Sequence, residues 1–177
     1  MRPWAALLAV VLVLAGCGGS DDGASSDAAT DTVPATEPSG GDKASYIAAG
    51  DEICADAQIE AAALLEEAQA LQQQSETLPP DEFLSRAADF WQGQIDFAED
   101  FRGQFAELEP PAEDAERHEE FLASVDEGIS TATEIQQTLE DGNEVPGSLS
   151  DEYRASVEEG NRLARDYGFQ VCGRTEG

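Results

Sequence analysis

Few side chains in this chain could do chemistry, and their spacing decides among them. One histidine, His118, and three cysteines, Cys17, Cys54 and Cys172, stand among 38 acidic residues. His118 lies on the apolar face of a helical stretch. It could act there as a base or a ligand, but the plainer reading is a hydrogen-bonded residue at the edge of a core. Di-metal sites in helical bundles place Glu-x-x-His on two helices; here Ala115 stands three residues before His118, and there is no second histidine. Asp114, one turn earlier, could join Glu119 or Glu120 around His118 in no more than a weak cation site. Serine nucleophile elbows, phosphate-binding loops, dinucleotide fingerprints, zinc signatures and EF-hand spacings are all missing. Carboxylates are too numerous for any pair to stand out as acid and base. These residues give no catalytic constellation, no metal site and no cofactor, so we expect a protein that is not an enzyme. The remaining candidate is a stripe of rings around Trp91 and Phe97. It reads first as core, with a ligand surface shared with His118 as the alternative.

Cys17 has a different context. A single Arg2 precedes one short apolar run, Trp4 to Ala15, and Leu14-Ala15-Gly16-Cys17 closes it. A basic start, an apolar centre of about 7–15 residues and small residues at the cut are the pattern of an export signal. The run falls short of the roughly 20 apolar residues that span a bilayer. The tetrapeptide resembles the lipobox of bacterial lipoproteins, in which the cysteine thiol takes a diacylglyceryl group and becomes the first residue of the mature chain. The resemblance implies residues 1–16 as signal peptide and Cys17 as the lipidation site. A single acyl chain holds a protein to a membrane only marginally, and a diacylglyceryl group supplies the second.

The formal net charge of −29 excludes nucleic acid as a partner and argues against lying flat on anionic lipid. Residues 17–43 hold Gly, Ser, Thr, Asp, Ala and Pro, with Val33 the lone large aliphatic residue. Such a stretch cannot bury enough surface to offset its lost entropy, and it reads as a disordered, lipidated tether. With Cys17 assigned to lipid, Cys54 and Cys172 remain. Paired cysteines outside the cytoplasm form disulfides, and no histidine or second cysteine at ligand spacing supports metal binding instead.

The elements that must position these residues are helices, in a domain of residues 44–177. Ile47, Cys54, Ala61 and Ala68, with Gly50, Ala57, Leu64 and Leu71, make a heptad-like stripe that ends before Leu78-Pro79-Pro80. A second helix starts near Asp81 as N-cap or first-turn acid. Its face carries Leu84, Ala87, Trp91, Ala98, Phe101 and Phe105, flanked by Phe83, Phe90 and Phe97, and Glu109-Pro110-Pro111 stops it. A third, from Ala112 to Leu139, centres on Ala115, His118, Leu122, Val125, Ile129 and Ala132, with Phe121 and Ile135 beside them. A fourth opens at Ser150 or Asp151, presents Tyr153, Val157, Gly160, Leu163, Ala164 and Tyr167, and ends at a left-handed Gly168. Four amphipathic helices on short connections predict an all-α, up-down-up-down four-helix bundle. That topology brings Cys54 and Cys172 to one end, which agrees with a disulfide between them.

The lipobox, the tether, Gly50-Asp51-Glu52-Ile53-Cys54 and the closing Tyr167-Gly168-Phe169-Gln170-Val171-Cys172-Gly173 together resemble the small helical two-cysteine lipoproteins of uncertain function from high-GC Gram-positive bacteria. The resemblance implies a monomeric lipoprotein held on the outer face of the cell membrane through Cys17. Two kinds of function fit it. One is a non-enzymatic envelope module that binds a protein partner or the wall. The other is a binder of a small ligand or a divalent cation. A pocket beside Trp91 or Phe97 favours the second kind, and a filled core the first.

Overall fold

A computed structural model describes residues 42–173; the expected signal peptide, Cys17 and nearly all of the tether lie outside the described residues. The described residues are all-helical: α1 (Lys43–Gln74), α2 (Pro80–Ala106), α3 (Ala115–Glu140) and α4 (Gly147–Tyr167) form a four-helix bundle. Each end has a local cause. Asp42 caps α1 by accepting the Ser45 backbone N–H at 2.9 Å, and the Ser45 hydroxyl donates to its other oxygen at 2.9 Å. Pro79 and Pro80 separate α1 from α2. Pro80 fits the first turn because it brings no N–H that needs a partner, and Asp81 and Glu82 complement the positive helix end. A single 3-10 turn, Ala112–Asp114, leads into α3. Gly168, at φ 113°, closes α4; its N–H and that of Phe169 both reach the Ala164 carbonyl, at 3.2 and 3.1 Å.

Three boundaries differ from the sequence reading. Pro79, not Asp81, precedes the first turn of α2. The first turn expected of α3 is the separate 3-10 turn. α4 opens at Gly147, a turn early, because Pro146 presents its carbonyl to the N–H groups of Leu149 and Ser150 at 3.1 and 3.3 Å.

The helices do not close a complete ring. α2 packs along α3, α3 along α4, and α1 leans on α2, but no comparable packing joins α1 to α4. The α3–α4 pair is tight because small residues face each other reciprocally. A β-carbon placed on Gly128 would lie 3.2 Å from Ser156 Oγ, and one on Gly160 3.2 Å from Ser124 Oγ.

The buried apolar residues fall into two clusters. One, at the end that holds the α1–α2 and α3–α4 connections, is built on Leu71, Phe83, Phe90, Ile135 and Leu139. The other, at the end that holds the start of α1 and the end of α4, is built on Tyr46, Phe105, Phe121, Tyr167 and Phe169. Here the post-α4 tail docks on α1. The Cys54–Cys172 disulfide joins the two across a sequence separation of 118 residues, with Cα atoms 5.3 Å apart. Asp51, one turn before Cys54, accepts the backbone N–H of Gln170 at 3.0 Å and of Val171 at 2.8 Å. Phe169 fits because Gly50 has no side chain; a β-carbon there would collide with its ring.

Candidate functional site

Between the two clusters lies a cavity of about 160 Å³. All four helices line it. α2 supplies a wall of rings, Phe90, Trp91, Phe97 and Phe101; Phe121 of α3 and Tyr153 of α4 continue it. Trp91 and Tyr153 meet edge to face with ring centroids 5.0 Å apart. α1 contributes small side chains, Ala57 and Ala61, and then Leu64. The Cys54–Cys172 disulfide forms part of the wall at the end that holds the start of α1 and the end of α4.

The cavity explains the largest departure from the sequence reading. On α2 the flanking residues Phe83 and Phe90 are fully buried, while Trp91, Phe97 and Phe101 are only half-buried. On α3, Phe121 and Ile135 are buried, whereas Val125 and Ile129 are half-buried; on α4 the same holds for Tyr153 and Val157. Periodicity places the middle of each apolar face toward the bundle axis. That axis is where the cavity runs, so the residues expected to be most buried line open space. The residues buried in their place include small polar ones that periodicity passes over. The hydroxyls of Ser124 and Ser156 donate to the Phe121 and Tyr153 carbonyls of their own helices, at 2.7 and 2.8 Å, which makes them tolerable inside.

Among the described residues none of those lining the cavity carries a charge, although 27% of the chain is charged. Tyr153 is the one titratable group among the described lining residues, and burial pushes its phenol up to about 12. The cavity holds no general base, and its two serine hydroxyls are engaged with backbone. Its chemistry is that of a container: apolar surface, aromatic faces and a few neutral amides.

One of those amides is anomalous. Asn161 lines the cavity and is 8% exposed, and its Nδ2 has no hydrogen-bond partner among the described residues. An unmade hydrogen bond on a buried amide costs about 1–3 kcal/mol.

The structure thus puts Trp91 and Phe97 on one site and His118 on another. His118 borders a polar recess of about 240 Å³ with Tyr46, Arg117 and Arg162. Its Nδ1 lies 2.6 Å from the Tyr46 hydroxyl. Burial pushes His118 down toward its neutral form and Tyr46 up to about 12, so the phenol keeps its proton and donates it to a neutral imidazole. Asp114 does not face His118. It accepts the Tyr167 hydroxyl at 2.9 Å and pairs with Lys43 at 3.5 Å. Among the described residues no three His, Cys, Asp or Glu side chains gather to hold a metal ion, which removes the arrangement on which the cation version rested.

Periodicity missed three features. Asn161 falls off the expected face of α4, and no pattern marks it. Asp51 looks like any of the many surface acids. The Gly–Ser crossing did leave a trace, since Ser124-x-x-x-Gly128 and Ser156-x-x-x-Gly160 repeat one spacing in α3 and α4. No helix among the described residues is long and apolar enough to cross a membrane. No protein-family model, curated protein or solved structure matches the chain.

Proposed function

We propose that this protein is a lipid-anchored, non-enzymatic binding module on the outer face of the cell membrane, and that it holds a small, largely apolar molecule in the cavity at the centre of its bundle. The observation that carries the ligand reading is the cavity itself: aromatic, without charge among the described residues that line it, and set inside a strongly acidic chain. Its volume is close to that of an engineered cavity that binds benzene, with the difference that this one opens partly to solvent. A docking surface for an envelope protein has less support. Among the described residues, Ile59, at 75% exposure, is the one large apolar side chain left in solvent, and stable interfaces need a contiguous apolar centre. The anchor reading rests on the short apolar leader and on Leu14-Ala15-Gly16-Cys17.

The cavity is tested in the full chain carrying Cys17→Ser and Trp4→Phe, which leaves Trp91 as the one tryptophan. Toluene and octane should each shift Trp91 emission saturably and raise the melting temperature. If neither probe does so up to its solubility limit, the cavity is not a binding site. The anchor is tested in cells with an alkyne-bearing fatty acid. Label should enter the wild-type protein and not Cys17→Ser, and the variant should leave the membrane fraction. Equal labelling of both removes the anchor.

A further inference from the structure

The cavity's own chemistry narrows its ligand, an argument that rests on the cavity being a binding site. Three observations bear on it. The lining of α2 runs from Phe90 to Phe101, about 16 Å along the axis at 1.5 Å per residue. The space is therefore long and narrow, not round. No charged group lines it among the described residues, so a carboxylate or ammonium drawn inside would lose its hydration without compensation from them. Outside stands a chain of net charge −29, which further disfavours an anion. Finally, Asn161 lines the cavity, and its Nδ2, which has almost no accessible surface as placed, has no hydrogen-bond partner among the described residues, so the carboxamide must turn to meet a ligand. A carboxamide can turn about its last bond, so it offers either a donor or an acceptor.

Asn161 and Tyr153 are both on α4, eight residues and about 12 Å apart along the helix. Asn161 lies toward the disulfide, while Tyr153 and Trp91 lie toward the opposite cluster. We infer that the ligand is an uncharged, elongated amphiphile: its apolar body runs along the aromatic wall of α2 toward Trp91 and Tyr153, and one neutral hydroxyl, carbonyl or amide bonds the Asn161 side chain near the disulfide. Access is lateral, between the middles of α1 and α4, a flank packed more sparsely than the others, where the two helices meet through Lys43 and Tyr46 on the Tyr167 ring near the disulfide end. The buried amide then gains in the complex the hydrogen bond it lacks without ligand, so it selects for a polar atom at one place in an otherwise greasy space. Gln58 and Gln94, also on the lining, are half-exposed and keep water within reach.

Matched eight-carbon probes test this: octane, octanol and octanoate, titrated against Trp91 emission in the same full chain and in its Asn161→Leu variant. Octanol should bind saturably and octanoate at least tenfold more weakly. Asn161→Leu should weaken octanol about tenfold, the worth of one hydrogen bond to a buried amide, and leave octane unchanged or slightly tighter. If Asn161→Leu unfolds the chain, the Asn161 side-chain amide resonances of the otherwise unaltered protein serve instead. They should move with octanol and not with octane. Octane and octanol binding alike, with Asn161→Leu without effect or the amide resonances unmoved by octanol, would overturn the inference and leave the cavity reading standing. Octanoate matching octanol would also overturn it. Binding of none of the three would remove the cavity reading itself.

Discussion

Filling the cavity should make the protein more stable and less able to bind. Ala57 is half-buried on the α1 side of the cavity, so Ala57→Leu adds three carbons toward the open space. An empty cavity costs about 24 cal/mol per Å³. For about 160 Å³ that is at most about 4 kcal/mol, less where the cavity meets solvent. Leucine occupies about half of the space, for a gain near 2 kcal/mol, and gives back about 0.5–1 kcal/mol of rotamer entropy. We expect a net gain of about 1–1.5 kcal/mol, or about 3–5 °C in melting temperature for a domain of this size. Thermal unfolding followed by far-ultraviolet circular dichroism measures it, and octane titration of the same variant should show at least a tenfold loss of binding. The coupling of the two results matters. A leucine that lowers the melting temperature by several degrees while octane still binds would mean that the space at Ala57 was already occupied, and the account of the cavity would fail with it.

Other expectations follow from the packing. Cys54→Ala with Cys172→Ala should destabilise by about 4–5 kcal/mol, the chain-entropy value for the loop of 118 residues, and reduction of the wild type should lower its melting temperature comparably; an unchanged melting temperature on reduction refutes this. Gly50→Ala should cost about 1–3 kcal/mol by chemical denaturation despite alanine's better helix propensity, because the new methyl meets Phe169 and the fully buried Phe105; a stabilised variant would show that the tail does not pack there. Burial lowers the folded-state pKa of His118 below 6.5, so its contribution is whole above that value and is lost as pH falls through the folded pKa. The margin of wild type over His118→Gln should therefore shrink between about pH 7.5 and pH 5, and a margin that widens on acidification refutes the assignment.

Much of the bundle was legible because two signals agree. Apolar residues recur at helical spacing through four segments, and the breaks between them carry proline or glycine. The disulfide was legible in the two cysteines left once Cys17 is assigned to lipid, and topology agreed with it, since an even number of antiparallel helices returns the last end to the first. What periodicity could not show was that the middle of the bundle is left unfilled. A stripe of Trp91, Phe97 and Phe101 looks the same in sequence whether its rings pack on one another or stand around a hole. Only the volumes of the facing residues decide it. Opposite this wall stand Ala57 and Ala61 of α1 and Gly160 of α4, too small to meet the rings, and that deficit becomes visible once α1 is known to face α2 and not α4. The electrostatics of the site were equally hidden. An acid such as Asp51 becomes a clamp through three-dimensional placement on the tail N–H groups, and one asparagine among many polar residues becomes the unpaired amide of a cavity.

The clasp and the cavity are parts of one arrangement. Packed on α2 but hardly on α4, α1 would be the least secured helix of the bundle, and a flank without packing tends to open locally. It is instead held at both ends. Ala68 and Leu71 sit in the cluster with Phe83 and Leu139. At the other end, Asp51, the Phe169 contact with Gly50 and the Cys54–Cys172 bond tie α1 to the tail that follows α4. Between these anchor points, Ala57 and Ala61 border the cavity with little to hold them to α4. On the proposed reading, a helix pinned at its ends and sparsely packed against α4 in its middle is where a narrow ligand would enter without unfolding the domain. The disulfide allows this at a low thermodynamic cost, because a covalent link replaces the side-chain packing that would otherwise fill the seam. It thereby offsets the instability of an empty centre, an offset of about 4 kcal/mol or more in the chain-entropy model against a void that costs no more than that.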